Sequence, residues 1–128
     1  SSQVKKANDD LKDRAVEQLV AEFKDAGIEQ SHAELYGKIS KYNRLYHRMV
    51  AIQAELKSRP GDQRSALVPL LEHPNPQVRW MAAEYLLAVA PIASRQALNE
   101  LDERNIYPQA ADARGTLWAL ERGTRKPE

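Results

Sequence analysis

The chain has 128 residues, of which 42% are hydrophobic, 29% are charged and only 6% are aromatic, and its formal net charge is +1. This length and composition predict one soluble globular domain with a core of Leu, Ala, Val and Ile, a mixture that favours helix over strand. Because cysteine is absent, disulfides, thiolate metal sites and cysteine nucleophiles are excluded, and a cytoplasmic location is expected. The near-neutral charge argues against a dedicated nucleic-acid binder, and the short apolar runs argue against a membrane span.

Two long amphipathic helices are predicted in the N-terminal half. Apolar residues recur every three or four positions over 8–26, where Asn8 or Asp9 is suited to cap the start and Gly27 to end the helix. Ser31 then begins a capping box, which predicts a second helix over 32–57. The chain is therefore expected to begin with a helical hairpin.

Four shorter helices separated by prolines are predicted in the C-terminal half, over 62–72, 76–90, 92–104 and 108–122. Asn75 is expected to cap the second of them, with Pro76 as its first helical residue. Gly123 is placed to end the last helix, and the tail 123–128 is expected to be frayed. No alternating strand pattern occurs.

An internal repeat relates positions 64–88 to 95–119 by a shift of 31 residues without gaps. The eight identical pairs are Arg64/Arg95, Ala66/Ala97, Leu67/Leu98, Leu70/Leu101, Glu72/Glu103, Ala82/Ala113, Leu86/Leu117 and Ala88/Ala119. They fall at helical core spacing, which predicts a repeated helix–turn–helix unit. Each helix pair has an apolar face that it cannot bury alone, so the pairs are expected to stack.

The segment from Leu67 to Leu87 resembles a HEAT-type repeat, with Leu-x-x-Leu-Leu on the first helix, an Asn-Pro turn, and Val-Arg at the start of the second helix. The second copy departs from the pattern, because Val78-Arg79 has no counterpart 31 residues later. The whole chain also resembles a small bacterial helical family of unknown function.

These resemblances imply an all-α fold in which an N-terminal helical hairpin, 8–57, caps two HEAT-like helix pairs, 62–122, in a short right-handed α-solenoid. They supply no specific activity. HEAT-like folds generally act as protein-binding scaffolds, and some bind nucleic acid. The resemblance also implies a structural role for Arg79, linking neighbouring turns or repeats, with Asp112 as its expected partner; a partner-binding Arg79 is the alternative.

A stripe of residues on the second helix of each pair is the predicted partner-binding surface. Its members are Trp80, Glu84, Leu87, Arg114 and Trp118. Trp80, Glu84 and Leu87 lie off the inward apolar stripe of their helix, and Trp118 aligns with Leu87 in the repeat. An exposed Trp is a typical anchor at a protein interface. The alternative for Trp80 is packing against the helix 32–57.

A basic face on the helix 32–57 is the other candidate surface. Its residues, at three- and four-residue spacing, are Lys38, Lys41, Arg44 and Arg48. They suit nucleic-acid phosphates or an acidic protein partner. The alternative is a solvated face that pairs with Asp13, Glu17 and Asp25 of the first helix.

No catalytic signature is present. The three histidines share no metal-ligand spacing, no serine lies in a nucleophile elbow, and the glycines form no phosphate loop. We therefore predict no enzymatic activity, no cofactor and no metal. The expected function is a non-catalytic protein–protein interaction module, such as an immunity or inhibitor protein that masks a partner; the alternative is nucleic-acid binding through the basic face. A homodimer is a further expectation, because an uncapped C-terminal repeat leaves an apolar end.

Overall fold

A computed structural model describes residues 10–128, and this part of the chain contains helices and no strands. Two short 3₁₀ helices span Asp10–Asp13 and Gln63–Glu72. The α-helices are α1 (Val16–Leu35), α2 (Ile39–Ser58), α3 (Pro76–Leu86), α4 (Pro91–Glu103) and α5 (Gln109–Arg122). The all-α class is thus confirmed. None of the described helices is long and apolar enough to cross a bilayer.

The chain divides into two compact units, the first ending at Ala66 and the second running from Leu67 to Glu128. The prediction of a single domain with stacked helix pairs stays a prediction. The proposed cap at Asn8 or Asp9 lies outside the described residues.

The first unit is a hairpin of α1 and α2, but its turn is not where the sequence placed it. The prediction that α1 ends at Gly27 and that Ser31 caps the next helix is wrong. Gly27 is buried within α1, and the Ser31 hydroxyl donates to its carbonyl at 3.3 Å. The turn occurs at Gly37, whose φ of +66° belongs to the left-handed region that glycine adopts without strain.

The hairpin core follows the predicted periodicity. On α1 the buried side chains recur every three or four residues, as Leu19, Phe23, Ala26, Gln30 and Ala33. On α2 they are confined to the C-terminal half, at Met49, Ile52 and Leu56. The N-terminal half of α2 therefore has no buried residue, although it contains Ile39, Tyr42, Leu45 and Tyr46.

Three arginines connect the elements of the first unit by ion pairs and hydrogen bonds. Glu22 on α1 accepts from Arg14 at 2.9 Å and from Arg48 of α2 at 2.6 Å, so one carboxylate joins both helices. Arg59, just after α2, donates to the carbonyls of Leu11 at 3.0 Å and Arg14 at 2.6 Å. These bonds connect the residue that follows α2 to the N-terminal turn.

The second unit contains the later part of the 3₁₀ segment, from Leu67 onward, and the helices α3 to α5. Residues 62–72 were expected to form an α-helix, but Pro69 lies inside the segment and removes a backbone donor, and the observed helix is 3₁₀. Asn75 caps α3 as predicted, with its side chain accepting from the Gln77 backbone N–H at 2.8 Å. Helix α3 ends at Leu86, four residues earlier than expected, and Pro91 starts α4.

Three of the eight repeated pairs are buried in both copies, namely Leu67/Leu98, Leu70/Leu101 and Ala82/Ala113. Leu67 and Leu98 are both fully buried, and so are Ala82 and Ala113. A buried pair that the sequence did not reveal joins α3 to α5: Gln109 Nε2 donates to Gln77 Oε1 at 2.8 Å. Each glutamine directly follows a proline. The two Pro-Gln pairs are 32 residues apart, one residue more than the 31-residue shift of the internal repeat.

The start of the C-terminal tail is held in place instead of frayed. Gly123, with φ of +72°, ends α5 as predicted. The Thr124 backbone N–H donates to Ala119 at 3.0 Å, and Arg125 Nη1 donates to Glu84 Oε1 on α3 at 2.8 Å. The tail thereby connects α5 to α3.

Candidate interaction surfaces

Helix α5 presents an aromatic and cationic stripe to solvent. Arg114, Trp118 and Arg122 recur every fourth residue, so they lie on one face of the helix. The Trp118 side chain is 55% exposed, and the Arg122 guanidinium lies 4.3 Å from its ring centroid. This cation–π contact orients the indole while leaving much of it accessible. We call Trp118 and Arg122 the Trp118 patch.

The guanidinium of Arg114, at the N-terminal end of this stripe, is engaged in hydrogen bonds within the protein. It donates to the Asp102 carboxylate and the Tyr107 hydroxyl, and to Asn105 Oδ1 at 2.6 Å. The pKa of Arg114 is raised above its ordinary value. The hydrogen bond to Asp102 is the largest cause, and the hydrogen bond to Tyr107 is the second. Arg114 therefore fastens α5 to the turn after α4, a role that differs from the predicted contact with a partner.

The other members of the predicted stripe are less accessible. Leu87 is buried, so the prediction that it lies on an exposed surface is wrong. Glu84 is mostly enclosed and accepts from Arg125 and from the Thr116 hydroxyl at 3.3 Å. Trp80 is half-buried, and its indole N–H has no acceptor among the described residues. Trp118 is thus the member of the predicted set that remains broadly exposed.

Arg79 contacts the turn that precedes its own helix and not the expected Asp112. Its guanidinium donates to the carbonyls of His73 at 2.8 Å and Pro74 at 3.1 Å, in the turn before α3. Asp112 forms no ion pair within residues 10–128; partial burial raises the pKa of its carboxyl group. Arg114 makes the equivalent connection in the next helix pair, from a position one helical turn further along.

The basic face on α2 divides into two parts. Arg48 is paired with Glu22, so it belongs to the hairpin. Lys38, Lys41 and Arg44 form no ion pair within the described chain, and Asp13, Glu17 and Asp25 do not reach them. Among these four cations, the expected pairing with the first helix therefore holds for Arg48 alone. Its partner is Glu22 and not Asp13, Glu17 or Asp25.

The turn between α1 and α2 exposes large apolar side chains next to this basic face. Leu35 is 75% exposed, and Tyr36 and Ile39 are each 72% exposed. We call these three residues the hairpin tip. A shallow depression of 230 Å³ lies beside it, lined by Gly37, Lys38, Ile39, Tyr42, Ala33 and Glu34. Leu35 and Ile39 both fall inside the helix predicted over 32–57, because periodicity cannot show where a helix turns back.

The second unit contains a groove of mixed polarity between its 3₁₀ segment and α4. Its volume is 460 Å³, and its lining residues are Val68, Pro69, Leu71, Glu72, Ala93, Gln96, Ala97 and Glu100. Two carboxylates and one amide thus line it together with apolar side chains. No group of His, Asp and Glu side chains suited to a metal ion occurs among the described residues.

Comparison with known proteins assigns the chain to a family. Residues 17–121, most of the chain, match the model of a domain of unknown function, DUF2019. The chain belongs to the DUF2019 family. The crystal structure of the protein RPA1889 from Rhodopseudomonas palustris CGA009 is similar to it, with 45% sequence identity and a TM-score of 0.91 over 92% of this chain and 98% of that one. No curated protein matches the sequence.

The family membership confirms the resemblance to a small bacterial domain family of unknown function. It does not extend to the HEAT-like repeat or the solenoid, which stay predictions. The DUF2019 description names no substrate or partner.

Proposed function

We propose that this DUF2019 protein is a non-catalytic interaction module that binds a partner protein through the Trp118 patch. The observation that carries the proposal is the accessible indole of Trp118, held by Arg122 on a regular helix. Trp and Arg are enriched among the residues that dominate binding energy at protein interfaces. An orienting contact in the free protein also lowers the entropy lost on binding.

The flanking residues support the same surface. Tyr107 is 58% exposed, and the Arg114 guanidinium lies 5.3 Å from its ring centroid. Because Arg114 fixes both Tyr107 and the start of the stripe, the patch is built on a rigid element. A partner with an apolar pocket bordered by carboxylates would complement this surface.

A specific form of this function is an immunity or inhibitor protein that acts in the cytoplasm by masking the active site of a partner. A compact, cysteine-free chain is consistent with that compartment. Inhibition of this kind requires surface complementarity and no chemistry of the inhibitor itself.

The experiment is affinity capture from the native organism, followed by direct binding with the purified partner. We expect Trp118→Ala to weaken binding by about 30-fold or more, as for an interfacial hot spot of at least ~2 kcal/mol. Tyr36→Ala is the matched control, because it removes another exposed aromatic side chain, 72% exposed, from the other unit. Circular dichroism establishes that both variants remain folded.

A partner that binds Trp118→Ala and Tyr36→Ala equally well would contradict the proposal. The emission of Trp118 provides a second readout, since burial of this exposed indole shifts its fluorescence to shorter wavelength. A complex that leaves the emission unchanged would also place the interface elsewhere.

Nucleic-acid binding through α2 is the second candidate, favoured by the unpaired state of Lys38, Lys41 and Arg44. With Arg48 held by Glu22, three cations are available. Binding to duplex DNA would therefore show a log–log salt slope no steeper than about −2.7. Fluorescence polarisation at low salt tests it, and Lys41→Glu with Arg44→Glu should abolish any binding; a signal that persists in this variant would exclude the face.

A further inference from the structure

The hairpin tip exposes more apolar surface than an isolated surface residue. Leu35, Tyr36 and Ile39 occupy one short turn, and each leaves over two thirds of its surface in water. Single exposed apolar residues are common, but a contiguous group on a protein surface indicates a contact site.

Unpaired cations determine what can cover the tip. Lys38 lies between Tyr36 and Ile39 in the turn, and Lys41 follows in the first turn of α2. The first turn of α2 contains no acidic residue. A purely apolar partner would bury these cations without compensation, so the complementary surface must combine apolar walls with carboxylates.

The groove of the second unit has that combination. Its lining includes the apolar side chains of Val68, Leu71 and Ala93, the carboxylates of Glu72 and Glu100, and the amide of Gln96. Its 460 Å³ falls within the ~300–1,000 Å³ typical of binding clefts. Glu100 is paired with Arg104 at 3.4 Å, but both side chains are exposed, and a pair of this kind is worth little.

We propose that the hairpin tip of one copy of this protein docks into the groove of another copy. Apolar side chains then meet apolar walls, and Lys38 and Lys41 meet Glu72 and Glu100. The contact uses different surfaces on the two copies, so it is heterologous.

This inference goes beyond the proposed function and does not depend on it. Neither the tip nor the groove includes the Trp118 patch. If the protein does not self-associate but binds a partner through Trp118, only the docking proposal fails. If it self-associates but binds no partner through Trp118, only the proposed function fails.

Sedimentation equilibrium of the full chain from about 10 µM to 1 mM tests the proposal, since a contact smaller than a standard interface is expected to be weak. The weight-average mass should rise above the monomer mass of 14.5 kDa as concentration increases. A mass that stays at the monomer value up to 1 mM would overturn the proposal.

Charge reversal locates the contact. Lys38→Glu with Lys41→Glu, and separately Glu72→Lys with Glu100→Lys, should each weaken association by about tenfold or more. All four substitutions in one chain should restore it, because the attraction is reversed on both sides. The matched controls, Lys57→Glu with Lys126→Glu and Glu17→Lys with Glu29→Lys, change net charge equally at other exposed positions and should have little effect.

Two results would contradict the docking. Association that survives both reversals unchanged would place it on another surface. A monomer that instead binds vesicles of phosphatidylcholine and phosphatidylserine through Lys38 and Lys41 would assign the tip to an anionic lipid surface. Leu35→Ser with Ile39→Ser, checked by circular dichroism, should weaken self-association without altering net charge.

Discussion

Paired polar side chains stabilise particular turns and helix contacts at the level of single residues. Asp62 follows the proline–glycine turn after α2 with φ of +51°. Its carboxylate accepts two hydrogen bonds from the buried Arg64 guanidinium, at 2.9 and 2.7 Å. The side-chain hydrogen bond from Arg64 is the main reason that the pKa of Asp62 lies below its ordinary value of 3.8.

This depressed pKa predicts a pH dependence of stability. A carboxylate with a lowered pKa in the folded state stabilises the protein above its ordinary pKa, and that stabilisation is lost as pH falls through the folded-state pKa. We expect Asp62→Asn to lower the free energy of unfolding at pH 7 by about 1 kcal/mol, since solvent screens the partly exposed pair.

Urea unfolding from pH 7 down to pH 3 measures both effects. Asn tolerates the positive φ at this position, so the substitution removes the charge without adding backbone strain. Between pH 4 and pH 3, the variant should lose less stability than the wild type. Asp13→Asn, at an exposed position without an ion pair, is the control, and an equal acid response in both variants would refute the assignment.

The buried Gln77–Gln109 pair predicts non-additive substitutions. Gln77→Leu leaves Gln109 Nε2 without its acceptor in a buried site, which should cost about 1–3 kcal/mol. Replacing both glutamines by Leu should cost less than the sum of the single variants, because no amide is then left unpaired. Trp fluorescence follows this unfolding, since Trp80 and Trp118 both lie in the second unit; strictly additive costs would contradict the pairing.

At the scale of secondary-structure elements, two glycines with opposite backbone conformations give opposite predictions. Gly115 lies inside α5, and a Cβ added there meets no atom within 4 Å. Gly37 also has space around it, but its φ of +66° is unfavourable for any residue with a side chain.

We expect Gly115→Ala to stabilise the protein by about 0.5–1 kcal/mol and Gly37→Ala to destabilise it by about 1 kcal/mol. Chemical denaturation of the two variants beside the wild type is the measurement. Each serves as a control for the other, because the same methyl group is added at an open position. A stabilising Gly37→Ala would show that the α1–α2 turn is not left-handed.

The turn itself explains the largest difference between expected and observed elements. Gly27 is a residue type that often ends a helix, and Ser31 with Glu34 matches the sequence pattern of a capping box. The helix nevertheless continues through them, since α1 buries Ala26, Gly27, Gln30 and Ala33 in the hairpin. Tertiary burial outweighs the ~1 kcal/mol that glycine costs inside a helix.

At the scale of the whole molecule, acidic and basic residues nearly balance, at 18 and 19. The isoelectric point near 8.0 means that repulsion between molecules is smallest around that pH. We expect the lowest solubility near pH 8 and higher solubility about two units to either side, measured by precipitation at fixed ionic strength. A flat profile would show that net charge does not control solubility.

The sequence alone determined the helical class, the helix boundaries at Pro76 and Gly123, and the repeat whose core positions include Leu67 and Leu98. These follow from local physics: helical periodicity, the missing N–H of proline and the free φ of glycine act within a few residues. Trp118 was also selected by its spacing, whereas the HEAT-like stacking remains a prediction.

Only the tertiary structure decided where the first hairpin turns and which polar groups meet. It buried Leu87, exposed Leu35 and Ile39, paired Arg48 with Glu22 and engaged Arg114 with the turn after α4. Each of these outcomes depends on residues distant in the chain or on the direction of a neighbouring helix. Periodicity specifies the faces of a helix, but packing chooses which face is covered and how far the helix continues.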